Sequence, residues 1–133
     1  MCYHKYSIRS NCICTILYFI QINIGKSEIY EYLKKLLKKS DNNSRIKLNK
    51  ITAYIDILCD KGINIGEPYI KHIENDIWEL RPLRDRILFA YWNNNKFILL
   101  NIFMKESQKT PKREIDKAKR LLKDFLDRSG RNE

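Results

Sequence analysis

Apolar residues along this chain recur with a period that changes from one stretch to the next, and the period names the elements. Ile16-Leu17-Tyr18-Phe19-Ile20 is short and rich in branched and aromatic side chains, which predicts a first strand. Asn23-Ile24-Gly25-Lys26 reads as a turn, and Ser27 as the N-cap of a helix running to about Lys39. On that helix Ile29, Leu33, Leu36 and Leu37 fall on one face. Asp41-Asn42-Asn43-Ser44 interrupts the pattern. A second helix is expected from about Arg45, with Leu48, Ile51, Ile55 and Leu58 at helical spacing and Gly62 as its stop.

Beyond Gly62 the period shortens. Gly62 to Pro68 reads as loop, and Ile77 to Arg81, Arg86 to Trp92 and Phe97 to Phe103 read as three strands. Asn93-Asn94-Asn95 is expected to form the hairpin turn between the last two, because asparagine tolerates left-handed backbone angles. Pro82-Leu83-Arg84-Asp85 joins the first two, which predicts another antiparallel pair. Thr110-Pro111 has the form of a helix start, a hydroxyl cap followed by proline, and Ile115, Ala118, Leu122 and Phe125 give that helix an apolar side. Gly130 is expected to end it. The order is strand, two helices, three strands, helix: an α+β domain with helices covering one side of a small antiparallel sheet.

Length and charge narrow this picture. A chain of 133 residues supports one domain with one core. Its formal net charge of +10 draws it towards polyanions through long-range field alone. The cysteines Cys2, Cys12, Cys14 and Cys59 lack the density and spacing of a disulfide framework, which suits free thiols in a reducing cytoplasm. His4 with Cys12 and Cys14 has no nearby fourth ligand for zinc. The N-terminal run superficially copies a secretory signal, yet no small-residue cleavage site follows and no run reaches the ~20 apolar residues of a membrane span. A cytoplasmic protein is expected.

Candidate chemistry concentrates around two arginines. In Trp78-Glu79-Leu80-Arg81 the alternation sends Trp78 and Leu80 to one face, so Glu79 and Arg81 are expected on the open, solvent side of the sheet. Across the four-residue connection, Arg86 would lie nearly opposite Arg81, with Cβ atoms roughly 5 Å apart. Like charges so placed repel unless something negative sits between them. Glu79 or Asp85 in a surface ion-pair cluster would serve; so would a bound phosphate. The strand ending at Phe103 should return Lys105 and Lys109 towards Arg86, although a solvated charge is the ordinary role of each lysine. No glycine-rich phosphate loop, cluster of acidic metal ligands or Ser/His/Asp arrangement is present, so chemistry on nucleic acid would have to run without metal or other cofactor.

Gly66-Glu67-Pro68-Tyr69-Ile70-Lys71, Ile77-Trp78-Glu79-Leu80-Arg81, Arg86-Ile87-Leu88-Phe89-Ala90-Tyr91 and Ser107-Gln108-Lys109-Thr110-Pro111, with Glu114-Ile115 and Ala118, resemble the HigB toxins. These are the phage-derived branch of the RelE/ParE superfamily of type II toxin–antitoxin systems. The match in order runs from residue 16 to about 126. It implies a variable leader over 1–15, a toxin domain over 16–128 and a polar tail over 129–133. The implied activity is metal-independent cleavage of mRNA in the ribosomal A site, by attack of the ribose 2′-hydroxyl on the adjacent phosphate. The implied partner is a HigA-like helix-turn-helix antitoxin. Arg81 and Arg86 would clamp the scissile phosphate, Lys105 or Lys109 would neutralise the leaving oxygen or act as base, and Glu79 is the other candidate base. Lys71, Arg84, Lys112 and Arg113 would hold flanking RNA. Two departures stand out: Asn101-Ile102 where many relatives have His-Gly, and Lys105-Glu106-Ser107 in place of Lys-Lys-Thr. A ParE-like toxin acting on a protein such as DNA gyrase, and an inactive phage-derived nucleic-acid-binding protein, are the competing readings of the same basic face.

Overall fold

A computed structural model describes residues 28–92 and 96–131. The expected first strand, the Ser27 cap and the Asn93-Asn94-Asn95 turn lie outside the described residues. The first described element is helix α1, Glu28–Lys38, whose first turn carries Glu28 and Glu31 and whose last carries Lys35 and Lys38, matching the helix dipole at both ends. Ile29, Leu33 and Leu36 are buried. Leu37, expected on the same face, is 60% exposed, since it is rotated past the packed stripe on the last turn.

Helix α2, Asn42–Lys61, begins earlier than the sequence suggests. Asp41-Asn42-Asn43-Ser44 starts the helix and does not merely separate it from α1: Asp41 is the N-cap, accepting from the Ser44 amide at 3.0 Å and the Ser44 hydroxyl at 2.9 Å. Those bonds hold the Asp41 carboxyl below the ordinary aspartate value of 3.8. A depressed carboxylate contributes stability above its unfolded value and loses it as pH falls through the folded one. Asp41→Ala is therefore expected to lower the melting temperature near neutral pH, and the gap from the parent chain should close in acid, as thermal melts across pH would show. Ile51, Ile55 and Leu58 are buried as the periodicity predicts, with Leu48 packed at the edge of their cluster. Gly62, at φ 72°, ends the helix and donates its amide to the Leu58 carbonyl. The following Gly62–Ile65 is a 3-10 turn where plain loop was expected.

Four strands follow in an antiparallel meander: β1 Ile70–Glu74, β2 Ile77–Leu80, β3 Asp85–Trp92 and β4 Lys96–Met104. β1 is an addition to the expected three. Its Ile-Lys-His-Ile-Glu composition is half polar because it is an edge strand, and so it lacks the apolar signature of the others. Helix α3, Lys112–Arg131, closes the chain and runs through Gly130, which does not stop it.

Both faces of the sheet are covered, which corrects the expectation of an open side. Helices α1 and α2 pack on one face against Ile70, Leu80, Ile87, Phe89, Phe97, Leu99 and Ile102. Helix α3 packs on the other through Ala118 and Phe125, against Ile77, Leu88, Ala90, Ile98 and Leu100. A bulge in the β3/β4 ladder pairs Leu88 with Asn101 and Phe89 with Leu99, leaving Leu100 as the extra residue. The side-chain parity of β4 flips there. Leu100 and Asn101 both face α3, where the Asn101 amide nitrogen donates to the Glu114 carbonyl at 3.2 Å and to its carboxylate at 2.9 Å. Phe103 consequently joins the α3 side, at the end of the sheet where the charged residues gather.

Candidate functional site

The ladder places the arginine pair. Leu80 lies opposite Ile87, so one further step sets Arg81 beside Arg86, and Arg81 continues the pairing on its other side by donating its amide to the Tyr69 carbonyl at 2.9 Å. By alternation Lys71, Glu79, Arg81 and Arg86 project to the face that α3 covers. Helix α3 begins too late to reach this end of the sheet. The segment Lys105 to Pro111 covers it instead, and forms with the strands a narrow cleft lined by Glu79, Arg81, Arg86, Phe103, Lys105, Lys109 and Thr110. Four cations thus meet two carboxylates, Glu79 and Glu106, leaving the cleft net positive.

Glu79 is not solvated, as β2 alone suggested, but 4% exposed. Its Oε2 accepts from the Thr110 hydroxyl at 2.8 Å, and its Oε1 lies 3.6 Å from Arg81 Nε. This also corrects the expected role of Thr110. The first helical carbonyl acceptor of α3 is that of Pro111, bonded by the Ile115 amide, while the Thr110 side chain ties the corner to the sheet. Thr110→Val removes this donor and strands a buried carboxylate oxygen, so a loss of about 1–3 kcal/mol is expected in chemical denaturation, with Thr110→Ser recovering most of it.

Arg86 is 7% exposed and held from behind. Its Nη1 donates to the Leu83 carbonyl at 2.8 Å and to the Asp85 carbonyl at 2.9 Å. Burial pushes its pKa below the ordinary guanidinium value and the neighbouring Arg81 and Arg84 push the same way, against Glu79 and Asp85. A guanidinium stays charged regardless, so the physical meaning is a desolvated cation that an incoming anion would relieve. The Arg81 Nε is likewise buried without a hydrogen-bond partner. Asp85 does not stand between the arginines. Its side chain turns towards α1 and α2, accepting from the Tyr32 hydroxyl at 3.1 Å with Lys47 Nζ at 3.9 Å.

The inner cleft measures only about 10 Å³, space for roughly one water. A wider groove of about 870 Å³ opens beside it between β1 and the start of α3, and shares Glu79 and the Glu106 to Pro111 corner with the cleft. Lys71, Lys109, Lys112 and Arg113 line this groove, facing Glu74, Glu106 and Asp116. Arg84 is the one candidate the fold sets apart: it lines neither space and donates to the Lys105 carbonyl at 3.4 Å. Sequence reasoning passed over Thr110, Tyr32 and Lys47. Thr110 carried a signal, a hydroxyl directly before a proline, but it was the signal of a cap.

Residues 32–123 match the family model described as phage derived protein, Gp49-like. The chain belongs to that family. Gp49-like proteins are a toxin-type family akin to RelE and ParE, and the four-stranded antiparallel sheet, with two helices before it and one after among the described residues, fits a RelE-like fold. Compared with the curated proteins, this Gp49-like chain matches none. Among its described residues, no helix is long and apolar enough to cross a membrane.

Proposed function

We propose that this Gp49-like protein is a HigB-like toxin that cleaves mRNA in the ribosomal A site and thereby blocks translation. The observation that carries the reading is the pairing of a desolvated Arg86 with the half-buried Arg81 in a cleft whose cations outnumber its carboxylates four to two. Family membership and the net charge of +10 support it. In this reading the scissile phosphate sits at the cleft mouth, since the interior is too small for it, and the flanking chain follows the groove past Lys71, Lys112 and Arg113.

The chemistry follows from the charges. The ribose 2′-oxygen attacks phosphorus, a negative charge grows on the equatorial oxygens, and the bond to the 5′-oxygen breaks to give a cyclic 2′,3′-phosphate and a 5′-hydroxyl end. Arg81 and Arg86 are the rigid, permanently charged forks suited to the equatorial oxygens. Glu79 has its oxygens committed to Thr110 and Arg81, which suits it to hold the cleft together more than to take a proton. Lys105 and Lys109 then serve the 2′-hydroxyl and the leaving oxygen. No step calls on a metal. A HigA-like helix-turn-helix antitoxin is the proposed partner, and the cytoplasm, with its translating ribosomes, the proposed site of action.

Induced expression followed by mapping of cellular 5′ ends tests the reading. Growth arrest with new 5′-hydroxyl ends inside translated regions is expected. Arrest with intact transcripts and DNA-damage signalling would instead point to a ParE-like protein target, and no arrest at all to an inactive nucleic-acid binder.

A further inference from the structure

Behind the arginine cleft, on the side away from it, lies a chain of polar groups that the proposed chemistry does not use. Lys47 of α2 donates from Nζ to the Tyr32 hydroxyl oxygen at 3.1 Å. That hydroxyl donates to Asp85 Oδ1 at 3.1 Å. Asp85 is 2% exposed, and its second carboxylate oxygen is buried without a partner. A buried carboxylate with a half-satisfied shell is costly unless nearby positive charge repays it. Lys47 at 3.9 Å and Arg86, the next residue along β3, offset part of that cost, and burial still holds the carboxyl above its ordinary value. None of Tyr32, Lys47 and Asp85 lines the cleft.

The Asp85 main chain does what its side chain does not. Its carbonyl, with that of Leu83, takes both bonds from Arg86 Nη1. Leu83 aims its carbonyl there from a left-handed backbone conformation, φ 56°, that a leucine adopts only under strain. Such a turn persists only where its surroundings over-determine it. Here it is pinned on three sides: the Asp85 amide bonds the Pro82 carbonyl at 3.0 Å, the Lys105 amide bonds the Arg84 carbonyl at 2.8 Å, and the Asp85 carboxylate is moored to two helices. Of the three, the carboxylate mooring is the one that reaches the turn from the helix side.

We propose that Tyr32, Lys47 and Asp85 form a positioning cluster that sets the orientation of Arg86 for its anionic ligand by holding the strained Pro82–Asp85 turn from the helix side. The inference rests on the reading of Arg86 as a phosphate clamp, but its main test does not need cleavage. In the free protein, the Arg86 Nη1–H resonance is expected as a sharp, exchange-protected signal, because Nη1 bonds both carbonyls. Tyr32→Phe and Lys47→Met should each broaden it or move it to the position of a free arginine, while the chain still melts cooperatively. An Arg86 signal unchanged in both folded variants overturns the proposal.

Binding of a single-stranded RNA carrying 2′-O-methyl groups, which cannot be cleaved, supplies a second readout. Tyr32→Phe should weaken binding about fivefold in the parent chain and have no further effect in an Arg86→Ala background, as expected of a residue acting through another. Equal losses in both backgrounds would show that Tyr32 acts elsewhere and would also overturn the proposal. If the parent binds no RNA but the Arg86 resonance responds to both variants, the positioning role stands and the phosphate-clamp reading falls.

Discussion

If the protein is the proposed ribosome-dependent nuclease, Arg86→Ala is expected to lower its cleavage by about 10²–10³-fold, the usual loss when one preorganised donor to a developing oxyanion is removed. The effect should be large because Arg86 is desolvated, oriented by two carbonyls and close to Arg81, so its field is little screened and its geometry needs no reorganisation. Arg86→Lys should recover little. An ammonium is a single point charge, and one group cannot satisfy the Leu83 and Asp85 carbonyls while presenting a fork to a phosphate. Arg84→Ala is the control: Arg84 lines neither the cleft nor the groove, and its loss should change the rate only slightly. Single-turnover cleavage on programmed ribosomes measures all three. Because Arg86→Ala also strands two carbonyls, a cooperative melt must accompany the rate; a folded Arg86→Ala protein that cleaves at the parental rate would remove the arginine pair from the mechanism.

The largest expected effect on stability is that of Phe125→Ala. Phe125 is 1% exposed and, with Ala118, forms the buried contact of α3 with Ile77, Leu88, Ala90, Ile98 and Leu100. Truncating a fully buried phenylalanine costs about 3–5 kcal/mol through lost transfer energy and the cavity left behind. That is a large share of the roughly 5–15 kcal/mol that holds a domain folded. Leu126, 44% exposed on the same turn, should tolerate alanine within about 0.5 kcal/mol. Urea denaturation of the two variants gives the comparison. The loss should also reach the cleft, since α3 carries the corner that Thr110 ties to Glu79.

Several parts of this arrangement were legible in the residues. The helical spacing of Ile29, Leu33 and Leu36, and of Ile51, Ile55 and Leu58, marks the buried stripes of α1 and α2 because a helix exposes the same face every three to four residues. The runs at Ile77, Arg86 and Phe97 are strands β2, β3 and β4 to within a residue at each end. The convergence of Arg81, Arg86, Lys105 and Lys109 on one cleft follows from the short β2–β3 connection and the antiparallel return of β4. Where the reading stopped short, the cause was local ambiguity. Asp41-Asn42-Asn43-Ser44 is equally a breaker and a cap, and Thr110 before proline has the form of an N-cap whether or not its hydroxyl finds a better acceptor.

What the sequence by itself determined, then, is the three helices α1 to α3, the strands β2 to β4, the apolar stripes of the helices and the meeting of the arginines across β2 and β3, all consequences of periodicity and of connections a few residues long. Only the tertiary structure decided that the polar face of β2 is closed over by Lys105 to Pro111, that Glu79 is bonded to Thr110 across 31 positions of the chain, and that Tyr32 reaches Asp85 across 53. A side chain's period says which face it takes. Its burial and its partner depend on which distant segment lands on that face, and for Glu79, Asp85 and Arg86 the segment that lands turns an exposed charge into a held one.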